Sequence, residues 1–120
     1  MIFVFGSNRE GRHSKGAALT ARQKHGAIYG QAEGRQGNSY AIVTKELRKA
    51  FQGSDYGPAP VTLYEVAGGV MRFIAYAHAH PEERFEVTRI GCGLAGFEEE
   101  EIAPLFKDAP PNCHLPNGWR

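Results

Sequence analysis

Cysteine is scarce: Cys92 and Cys113 are the only two in the chain, too few for a disulfide framework. A reducing, cytoplasmic setting is the expectation that follows. An excess of charge of either sign is also missing, with 14 Lys and Arg against 13 Asp and Glu and a formal net charge of +1. Such a chain has no global field to draw it to nucleic acid or to an anionic membrane. No apolar run approaches the ~18 residues that a bilayer requires, so no membrane partner is expected. Met1 to Phe5 carries no basic n-region and no cleavage-like pattern follows it, so no secretory signal is expected. No internal repeat is evident. Hydrophobic residues still make up 42% of the 120 positions. That excludes a disordered tail and suits one domain over residues 1–120, with too little chain for a second core.

Glycine is abundant, 15 of 120 residues, against a usual frequency of about 7%. The glycines cluster where apolar runs end. Ile2-Phe3-Val4-Phe5 is a continuous apolar run closed by Gly6, and it predicts a strand buried on both faces. The polar stretch Gly6 to Gly16 leads into Ala17 to His25, rich in helix formers and basic at its end, with Gly26 as a stop. A second glycine-rich polar stretch, 29–39, precedes a strand at Tyr40 to Thr44 that runs into Lys45. A short helical piece is expected near Glu46 to Phe51.

Thr62-Leu63-Tyr64-Glu65 has the capping-box pattern, with Val61 and Val66 at the hydrophobic-staple positions. Leu63, Val66, Val70, Phe73, Ile74 and Ala77 then keep helical spacing up to a stop before Pro81. Gly68-Gly69 inside that helix costs about 1 kcal/mol per glycine relative to alanine, unless close packing needs the missing side chains. Phe85 to Ile90 predicts a strand, Gly91 to Gly96 a loop, and Glu98 to Glu101 the acidic start of a helix in which Pro104 must stay near the first turn. Cys113 to Leu115 predicts a short last strand, and Asn117-Gly118 a turn. Strands alternating with helices imply a layered α/β fold, whose ligands sit in the loops after the strands.

Two glycine loops, Gly6–Gly16 and Gly91–Gly96, each lie between a strand and a helix. Small residues at a helix N-terminus let a phosphate approach unpaired N–H groups. Gly91 to Gly96 spells G-x-G-x-x-G, but it is not part of an N-terminal βαβ unit, and Gly11 to Lys15 lacks the Walker A register. Tight turns and helix–sheet contacts are the alternative use of the same glycines. Two such loops suggest a diphosphate held from both sides.

Phe3-Val4-Phe5-Gly6-Ser7-Asn8, then Gly11 to Ala18, then Tyr40 to Lys45, then Arg89-Ile90-Gly91-Cys92-Gly93-Leu94 together resemble a small macrodomain over residues 2–106. The likeness is to the branch of terminal ADP-ribose glycohydrolases and antitoxins that remove ADP-ribose from DNA. The resemblance implies a three-layer α/β/α fold with a mixed central sheet. It implies ADP-ribose or a related nucleotide as ligand, and an ADP-ribosylated macromolecule as partner. No cofactor and no structural metal are expected. Lys45, at the end of its strand, matches that branch's lysine nucleophile, which attacks the ribose carbon bearing the modified carboxylate. Such an amine must be deprotonated, through burial or nearby positive charge. The ligand would lie against Asn8, Lys15, Gly16 and Ala17 of the first loop, and against Gly91, Cys92, Gly93, Leu94, Ala95, Gly96 and Phe97 of the second. Asn8 would bond the distal ribose and Phe97 would pack on it.

The chain departs from the pattern twice. Ala95 stands where the glycohydrolases have an aspartate, and the loss of a general acid costs about 10²–10⁴ in rate. Glu98 or Glu99 lies close in sequence, at a helix start. The first strand carries no aspartate, which many macrodomains use to read adenine, so a smaller ribose-phosphate ligand also fits. Three readings follow: a hydrolase working through Lys45, a non-catalytic ADP-ribose sensor, or a protein-interaction module with a vestigial cleft. A thiolate at Cys92 would need a base that the sequence does not supply. His78 and His80 diverge on a helix surface and are poor joint metal ligands. His13, Arg12 and Lys15 could meet phosphate or simply face solvent.

Overall fold

A computed structural model describes residues 1–48, 59–93 and 95–120. The first apolar run forms strand β1, Ile2–Asn8. It is three residues longer than its apolar segment, because Gly6, Ser7 and Asn8 still pair with Ile42, Val43 and Lys45 of strand β3, Ser39–Lys45, across a bulge at Ser7/Asn8. Between them lie helix α1, Gly16–Lys24, and strand β2, Gly34–Gln36. Composition hid β2: it is short, polar and glycine-led. It pairs antiparallel with β3 through a two-residue turn, Gly37-Asn38. Glycine is required there, since φ is +58° and a Cβ would stand 2.6 Å from the Gly26 carbonyl oxygen.

Helix α2 spans Leu63–Ala79 and starts on the expected capping box, the Thr62 hydroxyl accepting from the Glu65 N–H at 3.2 Å. Of its two glycines only Gly69 serves packing, for a Cβ there would lie 3.2 Å from Ile42 Cγ2. Its C-terminus is held by Asn112, whose amide nitrogen donates to the carbonyls of Ala77, His80 and Glu83 at 3.1, 3.0 and 3.1 Å.

Strand β4 is Phe85–Val87, shorter than the β-branched run that extends to Ile90. Thr88 gives both its N–H and its hydroxyl to the Val4 carbonyl, and the Ile90 N–H turns back to the Thr88 carbonyl, so the chain leaves the ladder. Helix α3, Glu99–Ile102, passes directly into a 3₁₀ turn, Ala103–Phe106. Pro104 sits in the first positions of that turn, where its missing N–H costs nothing. Strand β5, Cys113–His114, closes the sheet. The expected helix near Glu46 to Phe51 is not formed over 46–48, and its remainder lies outside the described residues.

The strand order is β2-β3-β1-β4-β5, parallel except for β2, which makes the sheet mixed. Alternate residues of the central strands serve opposite faces. Ile2, Val4, Tyr40 and Ile42 join the large core beneath α2 and α3, built around Phe73, Phe85 and Phe106. Phe5 and Ala41 pack on Ala18, Ala21 and Ala27 in a smaller core beneath α1. The result is the expected three-layer α/β/α arrangement. Alanines let α1 lie close to the sheet, whereas α2 fills its side with larger residues. Among the described residues no helix is long and apolar enough to cross a membrane.

Candidate functional site

From β1 the chain crosses by α1 to β3 on one side, and from β3 it crosses by α2 to β4 on the other. Such a reversal leaves a crevice beyond the carboxyl ends of the parallel strands. A cleft of about 490 Å³ lies there. Its floor is Gly6 and Ser7 of β1 and Thr44 of β3; its walls are the first turn of α1 and the turn after β4. Thr44 is buried and donates its hydroxyl to the Ser7 carbonyl at 3.2 Å, pinning the two strand ends. A shallower hollow of about 890 Å³ opens at the amino ends of the strands. The Arg120 guanidinium there is already occupied by the carbonyls of Ala109, Pro110 and Cys113.

The two glycine loops face one crevice. Asn8, Lys15, Gly16, Ala17, Lys45, Gly91, Gly93 and Ala95 all line the cleft. Cys92, Gly96 and Phe97 do not. Cys92 and Phe97 pack instead against the large core, and Gly96 is exposed. Leu94 lies outside the described residues. Asn8 is bound both ways to the backbone of Arg12: its amide nitrogen donates to the carbonyl at 2.9 Å and its oxygen accepts from the N–H at 2.8 Å. This Asn8 clasp shapes the first loop, and one N–H and one lone pair of the amide remain for other partners. Burial pushes the Cys92 thiol above its ordinary value, which disfavours a thiolate.

His13 is fully buried and turned away from the cleft. Its Nε2 faces the Gln31 carbonyl and the Gln36 side-chain oxygen at 3.0 and 3.1 Å, and its ring meets Phe5 edge-on. Among the described residues no three His, Cys, Asp or Glu side chains gather as a metal site would require.

Two glycines of the second loop differ in kind. Gly91 has φ +74°, and a Cβ on it would stand 3.2 Å from Ile102 Cδ1, so the fold itself demands glycine. Gly93 lines the cleft with no left-handed backbone, and a Cβ there would meet nothing within 4 Å. Its lack of a side chain serves neither backbone nor packing.

Four cationic residues line the cleft, Arg12, Lys15, Lys45 and Arg89, and among the described residues no carboxylate does. Arg89, Ser7, Ser14, Thr44 and Thr88 also line the cleft, without a ligand role expected from the sequence. The signal for Ser7, Thr44, Thr88 and Arg89 is a hydroxyl or basic residue within two positions of a strand's end; Ser14 precedes the start of α1. Helix α1 opens into the same space without a side-chain cap on its first N–H groups. Beside the cleft an alternating ladder of charges runs from α2 to the first loop: Glu65, Arg9, Glu46, Arg48, Glu10 and Arg12, with contacts of 2.7 to 3.4 Å. Glu46, its side chain only 3% exposed, is the centre of the ladder. The Arg48 guanidinium, with help from the Arg48 N–H and from Arg9, lowers its carboxyl from 4.5 to about 2.

No protein-family model and no curated protein matches the chain. A solved structure of a protein of unknown function from Bacteroides thetaiotaomicron does, with a TM-score of 0.58 and 19% identity over 90% of this chain and 80% of that one. At that identity the likeness establishes a shared fold.

Proposed function

We propose that this cleft binds ADP-ribose or a related nucleotide diphosphate, in a macrodomain-like fold. The observation that carries the reading is the segregation of charge. A chain of net charge +1 lines one crevice with four cationic residues and, among its described residues, no carboxylate; Arg12 and Arg89 are paired with Glu10 and Glu99 beside it, whereas Lys15 and Lys45 make no ion pair among the described residues. The uncapped start of α1 adds N–H donors, and Gly93 leaves open the approach that a diphosphate needs. Both cysteines are free, which accords with the cytoplasm.

A second reading adds hydrolysis of an ADP-ribosylated macromolecule, with Lys45 as nucleophile; it is favoured by the place of Lys45 in the cleft wall. The absence of a lining carboxylate among the described residues, Ala95 included, leaves the departing group without an acid and favours binding over turnover.

The test is a melting and calorimetry panel of ADP-ribose, ADP, ribose 5-phosphate and pyrophosphate. A ligand at 100 times its Kd stabilises the fold by about 2.7 kcal/mol, which raises Tm by about 10 °C in a domain of this size. No shift with any of the four refutes the reading. Lys45→Ala abolishes turnover and keeps binding if the second reading holds; undiminished turnover removes it.

A further inference from the structure

Arg89 is among the residues lining the cleft, and two of its N–H groups are given to the C-terminal part of the chain. Nη1 donates to Glu99 Oε1 and Nη2 to the Asn117 carbonyl at 3.1 Å. The same Glu99 oxygen accepts the indole N–H of Trp119 at 3.1 Å. Trp119 is 6% exposed and packs on Phe106 with ring centroids 5.5 Å apart, so the indole is held by the core. The loop from Ile90 to Glu98 is thus bracketed by the Arg89–Glu99 pair and closed inside by the Phe97 N–H on the Gly91 carbonyl at 2.8 Å.

We propose that Glu99 and Trp119 are positioning residues for Arg89, coupling anion occupancy of the cleft to the C-terminal segment through one shared carboxylate oxygen. This deepens the proposed function and rests on it. Arg89 has five N–H donors and commits one of each Nη pair to Glu99 and to the Asn117 carbonyl, so three N–H groups are uncommitted. A phosphate drawing on Arg89 weakens its hold on Glu99 Oε1. That oxygen then bonds the indole more strongly, so occupancy is registered at Trp119. By linkage, a perturbation that strengthens or weakens the Glu99–Trp119 bond alters affinity in the cleft reciprocally. The pair is about half exposed, so it tunes the site rather than holding the fold.

Trp119 is the only tryptophan, so its indole N–H gives a single cross-peak in a nitrogen–proton spectrum. The experiment titrates the full chain with ADP-ribose and with inorganic pyrophosphate, following that peak and the calorimetric heat together. In the wild type the peak moves along the calorimetric isotherm. In Glu99→Ala, which removes the shared oxygen, the calorimetric Kd rises by up to about fivefold, as for loss of a surface ion pair, and the peak no longer moves. Arg89→Gln, which leaves Glu99 and Trp119 bonded, also abolishes the movement. Calorimetric binding with an unmoved indole peak in the wild type overturns the coupling alone. So does a peak movement of undiminished size in either variant. Absence of heat and of any shift with both probes overturns the proposed function, and this coupling with it.

Discussion

Gly91 and Gly93 stand two residues apart in one loop, and the structure gives them opposite energetics. Replacing Gly91 by alanine puts a side chain on a backbone with φ +74°. That conformation costs an L-residue about 1–2 kcal/mol. The new methyl would also stand 3.2 Å from Ile102 Cδ1 and 3.4 Å from Phe97 Cδ2, in a core where Ile102 is fully buried. Overpacking of this kind adds about 1–2 kcal/mol. Gly91→Ala is therefore expected to lose about 2–4 kcal/mol, a fall in Tm of about 8–16 °C.

Gly93→Ala meets no neighbour and no forbidden φ. It restricts the unfolded chain and is expected to lie within about 1 kcal/mol of wild type, on the stabilising side. Gly93→Val fills the same space with a branched side chain and is expected to weaken ADP-ribose at least about tenfold, a loss of ~1.4 kcal/mol, while the fold persists. Thermal melts and urea titrations of the variants, followed by calorimetry with ADP-ribose, measure all of this. If Gly93→Ala melts as low as Gly91→Ala, the distinction between a glycine needed by the fold and one open to a ligand is refuted.

The Glu46 ladder makes a pH prediction. Its folded-state value lies below the ordinary 4.5, at about 2, so its contribution is present above pH 4.5 and is lost as pH falls toward 2. Glu65, also lowered by Arg9, acts in the same direction. Urea midpoints at steps between pH 5 and 2 should fall steeply in the wild type and less steeply in Glu46→Gln; equal slopes would show that the ladder contributes nothing. Asn112→Ala removes the amide shared by the carbonyls of Ala77, His80 and Glu83, and is expected to lower stability by about 1–2 kcal/mol, or Tm by about 4–8 °C. A wild-type melt for that variant would mean that solvent satisfies the end of α2 equally well.

Much of the architecture is local and can be read along the chain. The capping box at Thr62 and Glu65, the helical spacing from Leu63 to Ala77, and the apolar starts of β1 and β3 all depend on neighbours within a few residues. Strand ends were less legible. β1 runs on through Gly6 to Asn8 because β3 is there to pair with it, and β4 stops at Val87 because Thr88 turns to the Val4 carbonyl. Neither partner is near in sequence. β2 was hidden for another reason: its partner β3 is one short turn away, but its three polar, glycine-led residues carry no strand pattern of their own, and the pairing alone makes it a strand.

The site divides similarly. That two glycine loops follow strands, that Lys45 ends a strand, and that basic residues lie close to both features is legible in the chain alone. Folding brings Lys15 to Ala17 together with Gly91, Gly93 and Ala95 in one cleft, while Phe97 and Cys92 turn into the core. Folding also gives most of Asn8 to Arg12 and ties Arg89 to Glu99 and the C-terminal segment. Propensity and capping act over a few residues, so the chain declares them locally. Which loops meet is set by crossovers such as α1 and α2, whose direction is fixed only when their apolar faces find the sheet.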